Sequence, residues 1–176
     1  MEKYVATPQL GFSEAVRLAM SRLFDFNGRS RRSEFWWFML AFYIVCYVVG
    51  FIISLFLPAL PAAIINSSLW IVAMGVTVRR LQDNGHSKWW VFLSFIISIV
   101  YNAYLVNSDF MFELASVNVN PEAVIKSLID DPKIMILSLL DSVFTIVIIV
   151  MCMIDGKPQA NRYGESPKYK LVSENR

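Results

Sequence analysis

The sequence predicts an all-α membrane protein with four transmembrane helices, an N-terminal amphipathic interfacial helix and a short helix in the outer loop. Four apolar stretches, residues 35–57, 60–78, 89–106 and 134–154, together contain one charged residue, Asp141. Each stretch is close to the length that a helix needs to cross a hydrocarbon core of about 30 Å. Because backbone amides in lipid must be paired within the segment, spanning helices are favoured over open structures.

The basic residues predict how the chain is threaded. Of 16 Lys and Arg residues, 14 lie in residues 1–34, 79–88 and 155–176, and two lie in the 107–133 loop. Basic residues mark cytoplasmic segments, so both termini and the 79–88 loop are predicted to be inside and the 107–133 loop outside. Residues 1–34 then form a cytoplasmic segment, residues 35–154 the membrane domain, and residues 155–176 a cytoplasmic tail.

The first 34 residues are polar and predict no cleavable signal peptide, so the first span is expected to direct insertion. Within them, residues 12–24 carry an apolar stripe at helical spacing. The stripe consists of Phe12, Val16, Ala19, Met20 and Leu23. Two interpretations remain open. The helix lies in the membrane interface with its arginines toward anionic headgroups, which we favour, or it packs on the cytoplasmic ends of the other helices.

Two further segments have local signals. In the outer loop, Pro121 to Asp131 is predicted to form a short helix, because Asn120 can cap it and Pro suits the first helical position. The tail after Asp155 is rich in Gly and Pro and is predicted to be irregular, with the end beyond about residue 168 mobile.

Three polar segments fall on the predicted cytoplasmic side. They read FNGRSRRSEFWW at 26–37, RRLQDNGHSKWW at 79–90 and GKPQANRYGESP at 156–167. This set resembles the signature of a bacterial inner-membrane family called domain of unknown function 805, which implies a location in that membrane but no activity. The chain departs from the pattern at Gln82, where His is usual, and at His86 and Lys88.

The three segments bring ten candidate site residues to one membrane face. These are Arg29, Arg32, Glu34, Arg79, Arg80, Asp83, His86, Asn161, Arg162 and Tyr163. One interpretation is an ion-pair network that joins the loops, in which Arg29 or Arg32 of the first segment pairs with Asp83, and Arg79 or Arg80 pairs with Glu34. In the other, surplus guanidinium groups bind a phosphate or carboxylate, and anionic phospholipid headgroups are the nearest anions.

Asp141 is the second signal, because an acid inside a span is costly and faces the bundle or water. At a rise of about 1.5 Å per residue it lies roughly 10 Å from the outer boundary, at a depth similar to those of Asn66 and Asn102. The three residues are expected to form one polar cluster. It either joins helices by hydrogen bonds or binds a proton or cation.

The sequence contains no P-loop, no nucleophile elbow and no His-Glu-x-x-His motif, so it gives no support to an enzyme. Cys46 and Cys152 lie in predicted spans and the chain has a single His, so we expect no metal or other cofactor. We predict a binding or accessory protein whose partners are membrane lipids, with anionic phospholipid as one candidate, and for which a second copy or another membrane protein is a further candidate partner. Nucleic acid is not expected. The alternative is a small transporter or proton-linked channel that uses Asp141.

Overall fold

The computed structural model describes residues 3–114, 116 and 119–172, and these residues are mostly helical. In chain order the elements are β1 (Lys3–Ala6), α1 (Phe12–Ser21), α2 (Arg32–Phe56), α3 (Ala59–Leu69), α4 (Ile71–Asp83), α5 (Trp89–Val106), α6 (Asp109–Leu114), α7 (Pro121–Asp130), α8 (Pro132–Met153) and β2 (Tyr169–Val172).

Three of these helices, α2, α5 and α8, are long and apolar enough to cross a membrane. Most of their length exposes apolar side chains, as expected of surfaces that face lipid. The buried core lies at one end of the bundle, where Phe35 and Phe38 of α2 pack with Val78 and Leu81 of α4. Arg79 and Arg80 are among the largest fully buried side chains there. We call this the polar end of the bundle.

The predicted second span, 60–78, is not one helix in the structure. Helices α3 and α4 meet at Trp70, whose backbone N–H donates to the carbonyls of Ser67 and Ser68. The hydroxyl of Ser68 donates to the carbonyl of Ile64 at 2.8 Å. Such side-chain bonds compete with the helical ladder and bend helices, which accounts for a break that apolar periodicity does not reveal. Helix α4 also continues to Asp83, past the predicted end.

Helix α1 packs on α2. This agrees with the second interpretation of the sequence, in which the helix packs on the ends of the other helices. Ala15 and Ala19 have no exposed surface, and their small side chains let the two helices approach closely. The ring of Phe12 meets Trp37 of α2 edge-on, with the ring centroids 5.7 Å apart. Helix α1 ends at Ser21, three residues before the predicted boundary.

A two-stranded antiparallel sheet makes the prediction of an all-α fold incomplete. The tail is irregular over residues 155–168, as predicted, but residues 169–172 form β2, so the predicted mobile end is wrong for these four residues, and residues 173–176 lie outside the described residues. Strand β1 pairs with β2 in a register that sets Tyr4 opposite Leu171. Next to the sheet, the backbone N–H and the hydroxyl of Thr7 both donate to the carbonyl of Lys168, at 2.8 and 3.0 Å. Residues 3–7 and 168–172 are therefore held side by side.

The described part of the 107–133 region contains two helices, α6 and α7, of which the sequence predicted the second. The side chain of Asn120 accepts from the backbone N–H of Glu122 at 3.1 Å, and Pro121 occupies the first helical position. These contacts satisfy a helix N-terminus in the usual way.

Candidate functional site

The three polar segments meet at the polar end of the bundle around the carboxylate of Asp83. Its Oδ1 accepts from Arg29 Nε at 2.8 Å, and its Oδ2 accepts from Arg80 Nη1 at 2.6 Å. The three side chains are at most 3% exposed. The predicted pairing of Asp83 with an arginine of the first segment is thus confirmed for Arg29. Because one carboxylate faces two guanidinium groups, the second positive charge needs other acceptors.

Backbone carbonyls supply the other acceptors of Arg29. Its Nη1 donates to the carbonyls of Gln159 and Gly164 at 2.9 and 3.2 Å, and its Nη2 donates to Lys157 at 2.6 Å. The guanidinium group therefore fixes the 156–164 segment to the bundle.

Arg80 makes the corresponding contacts at the end of α8. Its Nε donates to the carbonyl of Cys152 at 3.0 Å, and its Nη2 donates to that of Ile154. Nη1 also reaches the carbonyl of Ser30 at 3.2 Å. The last carbonyls of a helix lack partners within the helix, and Arg80 satisfies two of them here.

Arg79 joins the chain after α1 to the start of α2. Its Nη1 donates to the carbonyls of Arg22 and Asp25, the latter at 2.7 Å. Its Nη2 lies 3.5 Å from Glu34 Oε1, which confirms the predicted pairing of that acid with an arginine of the second segment. Ser30 lies between them, since its hydroxyl accepts from Arg79 Nε at 3.0 Å and donates to Glu34 at 2.9 Å.

Two glycines permit these close contacts. A Cβ on Gly156 would lie 2.1 Å from Asp83 Oδ2, so the tail passes directly over the carboxylate. A Cβ on Gly75 would lie 1.9 Å from the carbonyl oxygen of Leu23, where α4 crosses the chain just after α1. No side chain fits at Gly75 without movement of the backbone, or at Gly156 without displacement of the Asp83 carboxylate.

The third segment holds the turn after α4. Asn161 Nδ2 donates to the carbonyl of Gln82 at 2.9 Å. Arg162 donates to the carbonyl of Gly85 at 3.3 Å, and its guanidinium carbon lies 4.7 Å from the centre of the Tyr163 ring. His86 enters this turn through its backbone N–H, which donates to the carbonyl of Leu81 at 3.0 Å.

Two buried acceptors near this turn have no hydrogen-bond partner among the described residues, namely Gln82 Oε1 and Asn84 Oδ1. Each side chain uses its amide nitrogen instead. Gln82 Nε2 donates to the carbonyl of Phe26 at 3.0 Å, and Asn84 Nδ2 donates to that of Met151 at 2.7 Å.

Arg32 lies apart from this buried arginine cluster of Arg29, Arg79 and Arg80. The sequence left Arg32 as an alternative partner of Asp83. In the structure its side chain is 47% exposed, and its Nη1 lies 3.6 Å from Asp155. Arg31, which the sequence did not select, is buried instead and donates to Thr7 and to the carbonyl of Pro8.

Arg32 borders a cleft of about 390 Å³ at the start of α2, which we call the cationic cleft. Its lining includes Arg32, Ser33, Trp36, Trp37, Asp155 and Lys168. Lys168 Nζ donates to Asp155 at 3.0 Å, and this hydrogen bond raises the pKa of Lys168. Partial burial acts to raise the pKa of Asp155, but the bond from Lys168 and the nearby positive charges outweigh it, so that this pKa lies below its ordinary value.

The intramembrane polar residues do not form the expected single cluster. Asp141 accepts from the hydroxyl of Ser98. Asn102 accepts from the hydroxyl of Ser67 at 3.4 Å and donates to the carbonyl of Ser98 at 2.8 Å. Asn66 is exposed and lies next to Gly50 instead. Two serines that the sequence analysis did not select therefore supply the side-chain partners.

The family profile described as "Protein of unknown function (DUF805)" matches residues 23–165. The chain belongs to this family. The matched region contains the buried arginine cluster, Asp83 and the entire 156–164 segment, whereas α1, β1 and β2 lie outside it. The resemblance expected from the three sequence motifs is confirmed. No curated protein and no solved structure matches the chain.

Proposed function

We propose that this protein crosses the bacterial inner membrane four times, with both chain ends and the polar end of the bundle in the cytoplasm. The pairing of β1 with β2 supports a topology in which the two strands lie on the same side of the membrane, and such a topology requires an even number of crossings. The three long apolar helices α2, α5 and α8 account for three crossings, which is an odd number. Residues 59–78 of α3 and α4 are long enough for the fourth, at about 30 Å.

The orientation follows from the basic residues. Fourteen of the 16 Lys and Arg residues lie in residues 1–34, 79–88 and 155–176. The described parts of these segments meet at the polar end of the bundle, and basic loops stay in the cytoplasm. A cysteine placed at Lys126 in α7 should react with an impermeant thiol reagent on intact cells, and one placed at Lys157 should not. The reverse pattern, measured against the background of Cys46 and Cys152, would contradict this orientation.

In this membrane the protein acts as a binding or accessory protein whose basic cytoplasmic face recognises anionic phospholipid headgroups. The buried arginine cluster is the scaffold of that face rather than its binding group, because its donors already have internal acceptors. The observation that carries the proposal is the group of cations that remain exposed beside tryptophans at the boundary of the first span, chiefly Arg32. Positive side chains next to a span attract anionic lipids, and Trp rings favour the headgroup level.

Competition between lipids tests this role. The protein is exchanged into equal amounts of phosphatidylglycerol and phosphatidylcholine with matched acyl chains, and the retained lipid is counted by native mass spectrometry. We expect phosphatidylglycerol to be retained severalfold over its share of the mixture. Equal retention of the two lipids would refute headgroup recognition.

A further inference from the structure

The cationic cleft has the composition of a site for a phosphate group. Arg32 and Lys168 both face Asp155, so two positive side chains share one carboxylate. The Arg32 contact is long, at 3.6 Å, and it occupies one nitrogen of a group with five N–H donors. Most of the hydrogen-bonding capacity of Arg32 is therefore available within the described part of the chain.

The position of the cleft selects a lipid over a soluble anion. Helix α2 begins at Arg32 and turns apolar within one turn, so the floor of the cleft continues onto the surface of the first span. Trp36 and Trp37 are each 39% exposed, and Leu40 on the next turn is 47% exposed. A ligand with a charged head and an acyl chain would contact the cations and this apolar surface together.

From this arrangement we infer that the cationic cleft binds the phosphodiester of one anionic phospholipid between Arg32 and Lys168, in place of the carboxylate of Asp155. This inference rests on the proposed function and assigns it to a site. Arg32 suits the role because a guanidinium group donates two parallel bonds to phosphate oxygens. Trp36 and Trp37 hold the glycerol and the upper acyl chain at the headgroup level.

Asp155 acts as an internal competitor in this site. The phosphodiester and the carboxylate offer the same charge to the same two cations, so binding of the lipid displaces Asp155 from them. Lys168 directly precedes β2, and its carbonyl accepts from Thr7. The site is therefore linked through Lys168 to the pairing of β1 with β2.

Thermal unfolding in detergent, with phosphatidylglycerol or phosphatidylcholine added, tests the assignment. Phosphatidylglycerol at well above its dissociation constant should raise the Tm of the wild type by about 2–4 °C more than phosphatidylcholine does. Arg32→Gln and Lys168→Gln should lose at least half of that difference. Asp155→Asn should reach it at a severalfold lower lipid concentration. The matched control is Arg17→Gln, an exposed arginine on α1, which should respond as the wild type does.

Each other outcome has a definite meaning. If the wild type retains phosphatidylglycerol selectively but Arg32→Gln and Lys168→Gln respond as the wild type does, this site is refuted and the proposed function stands. If the wild type itself shows no preference, both fail. Glycerol phosphate distinguishes a lipid from a soluble phosphate as the ligand. This soluble compound has no acyl chains, so at millimolar concentration it should leave the Tm unchanged. An equal response to it would show that the cleft serves a soluble phosphate and would overturn the lipid assignment.

Discussion

Replacing Asp83 by Asn removes the single carboxylate between Arg29 and Arg80 while keeping the shape of the side chain. The two guanidinium groups then remain buried, with side chains about 1% exposed, and face each other without a counter-charge. Breaking a buried ion pair on one side costs about 3–5 kcal/mol. For a chain of this length that corresponds to a fall in Tm of about 6–20 °C. The measurement is thermal unfolding of the purified protein in one detergent, followed by circular dichroism.

Asp25→Asn is the matched control. Asp25 also pairs with an arginine, Arg22 at 3.2 Å, but the two side chains are 33% and 41% exposed. Exposed pairs of this kind contribute about 0–1 kcal/mol, so Tm should fall by no more than about 4 °C. If Asp83→Asn falls no further than Asp25→Asn, the buried arginine cluster does not hold the polar end of the bundle together, and the reasoning from burial is refuted.

Three further predictions use the same unfolding assay. Gly156→Ala should lower Tm about as much as Asp83→Asn does, because the new Cβ would overlap Asp83. The control Gly11→Ala should not lower Tm, because a Cβ there meets nothing within 4 Å. Equal falls in Tm for the two glycine variants would contradict the close passage of the tail over Asp83. The depressed pKa of Asp155 means that its contribution is complete above the ordinary value of 3.8 and is lost as pH falls below it, so acid should lower the Tm of the wild type more than that of Asp155→Asn. Asp141→Asn keeps an acceptor for Ser98 and should leave lipid retention and Tm nearly unchanged, whereas loss of lipid retention would favour a role centred on Asp141.

The sequence was most informative where unlike charges had few possible partners. Asp83 is the only acid of its segment, and the first segment is rich in arginine, so a pairing of Asp83 with an arginine of that segment follows from composition once the topology brings the segments together. The sequence could not choose between Arg29 and Arg32, because both flank the start of the same helix. The direction of each side chain depends on where α2 begins.

Other features of the structure could not be predicted from the types of residue in the sequence. Every residue has a carbonyl, so nothing in the sequence marks Lys157 or Gln159 as acceptors for Arg29. The pairing of β1 with β2 joins residues more than 160 positions apart through backbone atoms. The break at Trp70 arises from side-chain bonds to the backbone, which hydrophobic periodicity does not record.

The buried arginine cluster also explains why arginine, and not lysine, occupies these positions. Arg80 satisfies carbonyls at the end of α8, Arg79 those after α1, and Arg29 those of the 156–164 segment. Each bonds three or more acceptors that lie in different directions, which the five fixed donors of a guanidinium group can do and the three donors of a single ammonium nitrogen cannot do over the same span. These arginines therefore take the place of water at chain segments withdrawn from solvent. Arg32 and Lys168 instead pair with the partly exposed carboxylate of Asp155, and the phospholipid site that we propose uses the charge of these two side chains.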